Sequence, residues 1–299
     1  MRIMIAIIVG PAGRSITCLL FVLAISGCAS TPSADLTGFG RAASTLQADV
    51  ATTFAEANKL TRSVEVDRFV RSGAIGLSER RFPSAVPAEV AAKWRGALGD
   101  LARYGNLLAT LTGRERSGVQ TDAFRELGVQ LNSGPTAADL DPGISAGFAA
   151  LAGALVDLRA HASARDILRD TDPKIRVLLT AMADAVGRSD GDGLRGTVAS
   201  NWTTALASHQ RAYAEAATAK ADARQRQIVA DYLVGIDKRD GQLAALAGLR
   251  ASLLGLADAH AAAASGSRRP FDEVLKDVND RMKRTEETYR SIDKTGTAR

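Results

Sequence analysis

The 299-residue sequence predicts an all-α fold, an elongated antiparallel bundle of about seven or eight helices. Three observations carry that expectation. Apolar residues recur at the three- and four-residue spacing of a helical face almost everywhere after residue 40. Aromatic residues make up only 5% of the chain while Ala and Leu abound, a balance that favours closely packed helices over the β-branched and aromatic content of a sandwich or barrel. Glycine and proline gather in short clusters between the periodic stretches, so the connections suit antiparallel neighbours. With 46% hydrophobic and 24% charged residues, the chain has enough apolar side chains for a buried core.

The elements follow in order. A first helix is expected over residues 41–71, with Leu46, Val50, Phe54, Ala57, Leu60 and Val64 on one face. Residues 73–87 are irregular, long enough for a functional loop or a short turn of its own. Pro87 opens a second helix whose stripe is Val90, Trp94, Ala97, Leu101, Tyr104, Leu108 and Leu111. A shorter helix covers 121–131, and 132–143 is a connection. Ile144, Phe148, Leu151, Leu155 and Leu158 form a heptad-like seam. That helix is expected to end before Asp172-Pro173, with Asp172 as N-cap and Pro173 as first residue of the next. The next helix would bury Ile175, Leu178, Leu179, Met182 and Val186. After residues 189–193 the longest run, 194–238, would span roughly 65 Å at 1.5 Å per residue, with a break or kink at Asp240-Gly241. Leu243, Leu246, Leu249, Leu253 and Leu256 continue to about residue 264, and Pro270 starts a last helix through Tyr289.

The first 28 residues differ from the rest. Arg2 and Arg14 provide a positive start, residues 16–25 a short apolar stretch, and Ile25-Ser26-Gly27-Cys28 closes it. The stretch is too short for a comfortable membrane span. The tetrapeptide resembles the lipobox of bacterial lipoproteins, an aliphatic residue and two small residues before the cysteine. The resemblance implies cleavage between Gly27 and Cys28, a lipid on the Cys28 sulfur and acylation of the new amino terminus. Ala29, where an aspartate would resemble an inner-membrane retention signal, implies an outer-membrane lipoprotein facing the periplasm. The organisation expected is a signal peptide over 1–27, a flexible tether over 28–40 and a helical domain over 41–299, with a candidate subdivision near Ser189. Cys18 would leave with the signal, so the mature domain would carry no free thiol, which excludes cysteine catalysis and cysteine metal sites.

Charge argues against a nucleic-acid partner. Loss of Arg2 and Arg14 takes the formal net charge from +5 to +3, and the remaining charges are interspersed with no basic stripe. Catalytic and cofactor motifs fare no better. The three histidines, His161, His209 and His260, form neither His-Glu-x-x-His nor Glu-x-x-His, so no metal site is expected. His260 ends the Leu246–Leu256 stripe beside Asp258 and reads as a core or helix-end histidine. Residues 191–196 (GDGLRG) match Gly-x-Gly-x-x-Gly, but a helical pattern precedes them where a dinucleotide site needs a strand. Asp190-Gly191-Asp192 suggests a calcium loop yet lacks the bidentate glutamate. No Gly-x-Ser-x-Gly elbow is present. Trp94, Tyr104, Trp202 and Tyr213 are the candidate groove aromatics, against a core-packing role.

The expectation is therefore a non-catalytic interaction or scaffold module of the cell envelope, without cofactor, held at the membrane by its lipid and bound to another envelope protein. The alternative is a carrier or sensor for a small apolar or glycan ligand between helices. An exposed apolar seam on a solid core would favour the first, a deep enclosed pocket the second.

Overall fold

A computed structural model describes residues 33–111, 118–133, 140–159 and 162–266, with isolated helical positions between 273 and 287. The described residues are helical with no strand: α1 (Ser33–Arg71), α2 (Ala88–Leu111), α3 (Gly118–Ser133), α4 (Pro142–Val156), α5 (Ala164–Val186), α6 (Gly193–Thr218) and α7 (Asp222–Ser265), with one 3-10 turn at Glu79–Arg81. The all-α bundle is what the periodicity predicted. The described residues fall in a single compact unit. The expected signal segment and lipidated Cys28 lie outside the described residues, as do most of the expected last helix and His161.

The helices close a ring. In succession α1, α2, α3, α4, α5 and α7 pack on one another and α7 returns to α1, while α6 packs outside the ring on α7, α1 and α5. Pairings across helices show neighbours running antiparallel. Gln47 Nε2 donates to the Arg95 carbonyl and Asn58 Nδ2 to that of Val86 between α1 and the α2 side. Asp172 reaches His260 and Asp184 reaches Arg250 between α5 and α7. The ring interior is solid: Leu46, Leu98, Leu101, Phe124, Phe148, Leu151, Leu179 and Leu253 are all fully buried. α1 and α2 approach so closely that a Cβ on Gly105 would lie 2.6 Å from the Gly40 nitrogen and 2.8 Å from its Cα.

Four expectations need correction. The first helix opens at Ser33 rather than Arg41, because Leu36 and Phe39 carry the stripe of Leu46 and Val50 back into the core and are themselves buried. The part of the expected tether from Ser33 to Gly40 is thus helix. Asp172-Pro173 does not start a helix; both lie inside α5. The true start is Ser163, whose side chain accepts from the Asp166 amide while Asp166 accepts from the Ser163 amide. From there Ile167, Leu168, Thr171, Ile175, Leu178 and Met182 make one buried face. Its burial offsets the roughly 3 kcal/mol that an interior proline costs. The long run 194–238 is no single rod: it turns back at residues 219–221, where Lys220 takes a left-handed φ of 52°, and α6 and α7 form a hairpin. Conversely, Asp240-Gly241 causes no break, since α7 runs unbroken through it. Alanine is the strongest helix former, so the Ala-rich stretch signals a continuous helix and local propensity hides where the chain reverses.

Candidate functional site

The four candidate aromatics do not meet. Trp94 is buried edge-to-face against Phe54, with ring centroids 5.4 Å apart. Tyr104 lies at the centre of the ring, fully buried. Trp94 also edges an open hollow of about 280 Å³ with Val86, Val90, Ile144 and Leu194, whereas Trp202 and Tyr213 sit along α6 and border two other concavities.

The larger concavity is a groove of about 490 Å³ between α1, α6 and α7. Leu60, Trp202, Ile228 and Val234 supply its apolar lining; Asp67, His209, Arg224, Asp231 and Lys238 supply charged and polar groups. Trp202 is fixed there because its indole N–H donates to Gln242 Oε1 at 2.7 Å, and Gln242 is itself buried. Beside it Asn201 Nδ2 donates to Thr61 Oγ1 at 2.9 Å, tying α6 to α1. Gly235 keeps the groove floor low: a Cβ there would touch Leu206 at 3.0 Å. A smaller apolar hollow of about 280 Å³ continues along the hairpin, lined by His209, Gln210, Tyr213, Ile228, Val229 and Tyr232. His209 and Ile228 border both. This part of the hairpin buries Leu206, Ala216 and Ile228 away from the main core, and leaves Tyr213, Val229 and Leu233 exposed.

A second constellation was invisible in the sequence. Tyr104 Oη lies 2.6 Å from Thr171 Oγ1 and 3.0 Å from His260 Nε2, and His260 Nδ1 lies 3.0 Å from Asp172 Oδ1. The Thr171 hydroxyl also lies 2.7 Å from the Ile167 carbonyl, so its single proton serves either that carbonyl or Tyr104. A neutral imidazole fits when Thr171 donates to Tyr104, Tyr104 to Nε2, and Nδ1–H to the carboxylate. Burial lowers the His260 pKa, opposed by the Asp172 carboxylate and reinforced by Arg176. The hydrogen bond from His260 holds Asp172 below the usual carboxylate range, against partial burial. Burial drives the Tyr104 phenol far above its ordinary value. Such an acid–imidazole–hydroxyl order could move protons, but Tyr104, Thr171 and His260 are sealed in the core and border none of the concavities described above. The group therefore reads as a structural link, and His260 is the core histidine its stripe suggested.

The linkage has a sign. A histidine whose folded pKa is depressed contributes stability that is present above the unfolded value of about 6.5 and is lost as pH falls below it, because the unfolded chain binds the extra proton. Urea unfolding at pH 7.5 and 5.5 should show a loss at the lower pH, bounded at about 1.4 kcal/mol per unit of pH below 6.5. His260→Gln should flatten that slope; an equal slope in the variant would assign it elsewhere.

The glycine-rich turn is a helix connector. The Asp192 carboxylate accepts from the amides of Arg188 at 3.1 Å and Ser189 at 2.6 Å, which holds its pKa low. α5 precedes it, as the rejection of a dinucleotide site required. Gly187 takes φ 109°, and a Cβ there would lie 2.2 Å from the Asp192 carbonyl oxygen. Among the described residues no group of three or more His, Cys, Asp or Glu side chains is placed to hold a metal ion. Nor, among them, is any helix long and apolar enough to cross a membrane.

The fold and its groove define a helical bundle with an open apolar-floored surface on one hairpin. No family model, curated protein or solved structure matches the chain.

Proposed function

We propose that this protein is a lipid-anchored, non-catalytic interaction module of the bacterial cell envelope, facing the periplasm from the outer membrane and binding another envelope protein through the α1–α6–α7 groove. The observation that carries the reading is the pairing of a solid ring core with an open groove floored by Trp202, Ile228 and Val234 and continued by exposed Tyr213, Val229 and Leu233. Apolar side chains left uncovered along one edge are the usual mark of a surface that binds. The lipobox-like Ile25-Ser26-Gly27-Cys28 supports the anchor and the location. A small apolar or glycan ligand is the second reading, favoured by a groove volume within the range of ligand sites.

The test is cross-linking in the native cell with a photoreactive amino acid at position 208 in the groove, and at position 177 on α5 as control. The expected result is one envelope protein captured at 208, not at 177, and lost with Cys28→Ala. Equal yields at the two positions would refute the groove as the binding face, and capture undiminished in Cys28→Ala would refute the need for the anchor. If 208 captures nothing, small molecules extracted from the purified protein would decide for the second reading.

A further inference from the structure

We propose that the loop between α1 and α2 docks on an anionic lipid surface, with Ile75 and Leu77 entering the acyl boundary and Arg71 and Arg80 meeting lipid phosphates. This contact goes beyond the anchor and the groove, and depends on neither.

Ile75 and Leu77 are the most exposed of the exposed large hydrophobic residues, at 95% and 82%, and Val70 on the last turn of α1 follows at 70%. Phe69 and Phe82 pair with each other at 5.5 Å between centroids, and the Arg81 guanidinium sits 5.6 Å over the Phe69 ring. These contacts close the base of the loop and hold its two apolar tips outward. Charge then selects the partner. Residues 62–82 contain Arg62, Arg68, Arg71, Arg80 and Arg81 against Glu65, Asp67 and Glu79, a balance of +2, and Glu65 is engaged by Arg68. Arg71 stays exposed with its Nε donating to the Asp67 carbonyl, which leaves the rest of its guanidinium facing water. The α6–α7 turn lies toward this same end, since Asp67 and Arg224 border one groove, and it adds Lys220, with Asp222 two residues on.

Apolar tips framed by arginines match the layered chemistry of a membrane interface, where alkyl groups enter the acyl boundary and guanidinium groups remain at the headgroups. A protein partner would need a separate cleft for each tip; a fluid acyl layer needs none. Helix α1 spans 39 residues, about 58 Å, between Ser33 and the loop.

The test uses the full chain with an environment-sensitive fluorescent amino acid at position 75, and the same probe at position 177 as control. Vesicles of phosphatidylglycerol and of phosphatidylcholine are compared, each with and without brominated acyl chains. The expected result is a blue shift and bromine quenching at 75 but not at 177, with phosphatidylglycerol only. A cationic side chain near an anionic surface contributes about fivefold in partitioning, so Arg71→Gln with Arg80→Gln, which leaves the stacked Arg81 in place, should weaken the signal about 25-fold. Circular dichroism verifies that the variant folds, and the wild-type signal should also fall with added salt. Absence of quenching at 75 in phosphatidylglycerol overturns the proposal. Equal quenching in phosphatidylcholine, or no response to salt and to the arginine changes, overturns the anionic assignment.

Discussion

Tyr104→Ala is expected to destabilise the fold by about 3–5 kcal/mol, the range for deleting a fully buried large side chain. Tyr104 joins five of the six ring helices. From α2 it meets Phe39 of α1 and Phe124 of α3 edge-on, each at 6.1 Å, and it hydrogen-bonds Thr171 of α5 and His260 of α7. Truncation leaves a cavity at that junction and also strips His260 Nε2 of its partner. Tyr104→Phe separates the two effects. It keeps the ring and removes only the hydroxyl, leaving the buried His260 nitrogen unsatisfied at about 1–3 kcal/mol. Urea unfolding followed by circular dichroism measures both. If the two variants unfold at the same midpoint, packing at the junction contributes nothing beyond the hydrogen bond, and the central role given to Tyr104 is wrong.

Gly105→Val should be the second large effect, about 1–3 kcal/mol or more. The new Cβ would fall against the backbone of Gly40, where no rotamer change can make room, so α1 and α2 must part along a tightly packed seam. Helix propensity alone would argue the other way, since replacing a mid-helix glycine by alanine normally helps by about 0.5–1 kcal/mol and valine, though a weaker helix former, still ranks above glycine. Gly153 on the exposed side of α4 is the matched control, with nothing within 4 Å of its Cβ position, and Gly153→Ala should raise stability. A Gly105→Val protein as stable as wild type would show that the helices separate at no cost and that the close approach is incidental.

Much of the fold was legible because helical periodicity is a local property. Leu46, Val50 and Phe54 fall on the buried side of α1, and Leu178, Leu179 and Met182 on that of α5, as their spacing predicted. The misreadings came from signals of comparable local strength. Asp172-Pro173 offers a good helix start, but Ser163 with Asp166 offers another, and only the continuous burial from Ile167 to Met182 decides between them. At residues 219–221 neither glycine nor proline marks the reversal; the chain turns there because each half of the run packs against the other.

The candidate site divides the same way. Trp202 and Tyr213 were identifiable as aromatics on a helical stripe, and their border with a concavity follows from the hairpin that the sequence reading missed. The Tyr104–His260–Asp172 link was beyond reach, for its partners lie 156 and 88 positions apart. By itself the sequence determined the all-α class and most helical faces, since these depend on residues a turn apart along one helix. It also carries the lipobox-like Cys28, a short contiguous motif. Only the tertiary structure decided the ring closure, the sealed polar link, the α6–α7 hairpin and the outward display of Ile75 and Leu77. Each depends on which distant surfaces meet, and that choice is made by the summed burial and fit of the whole core, not by any one segment.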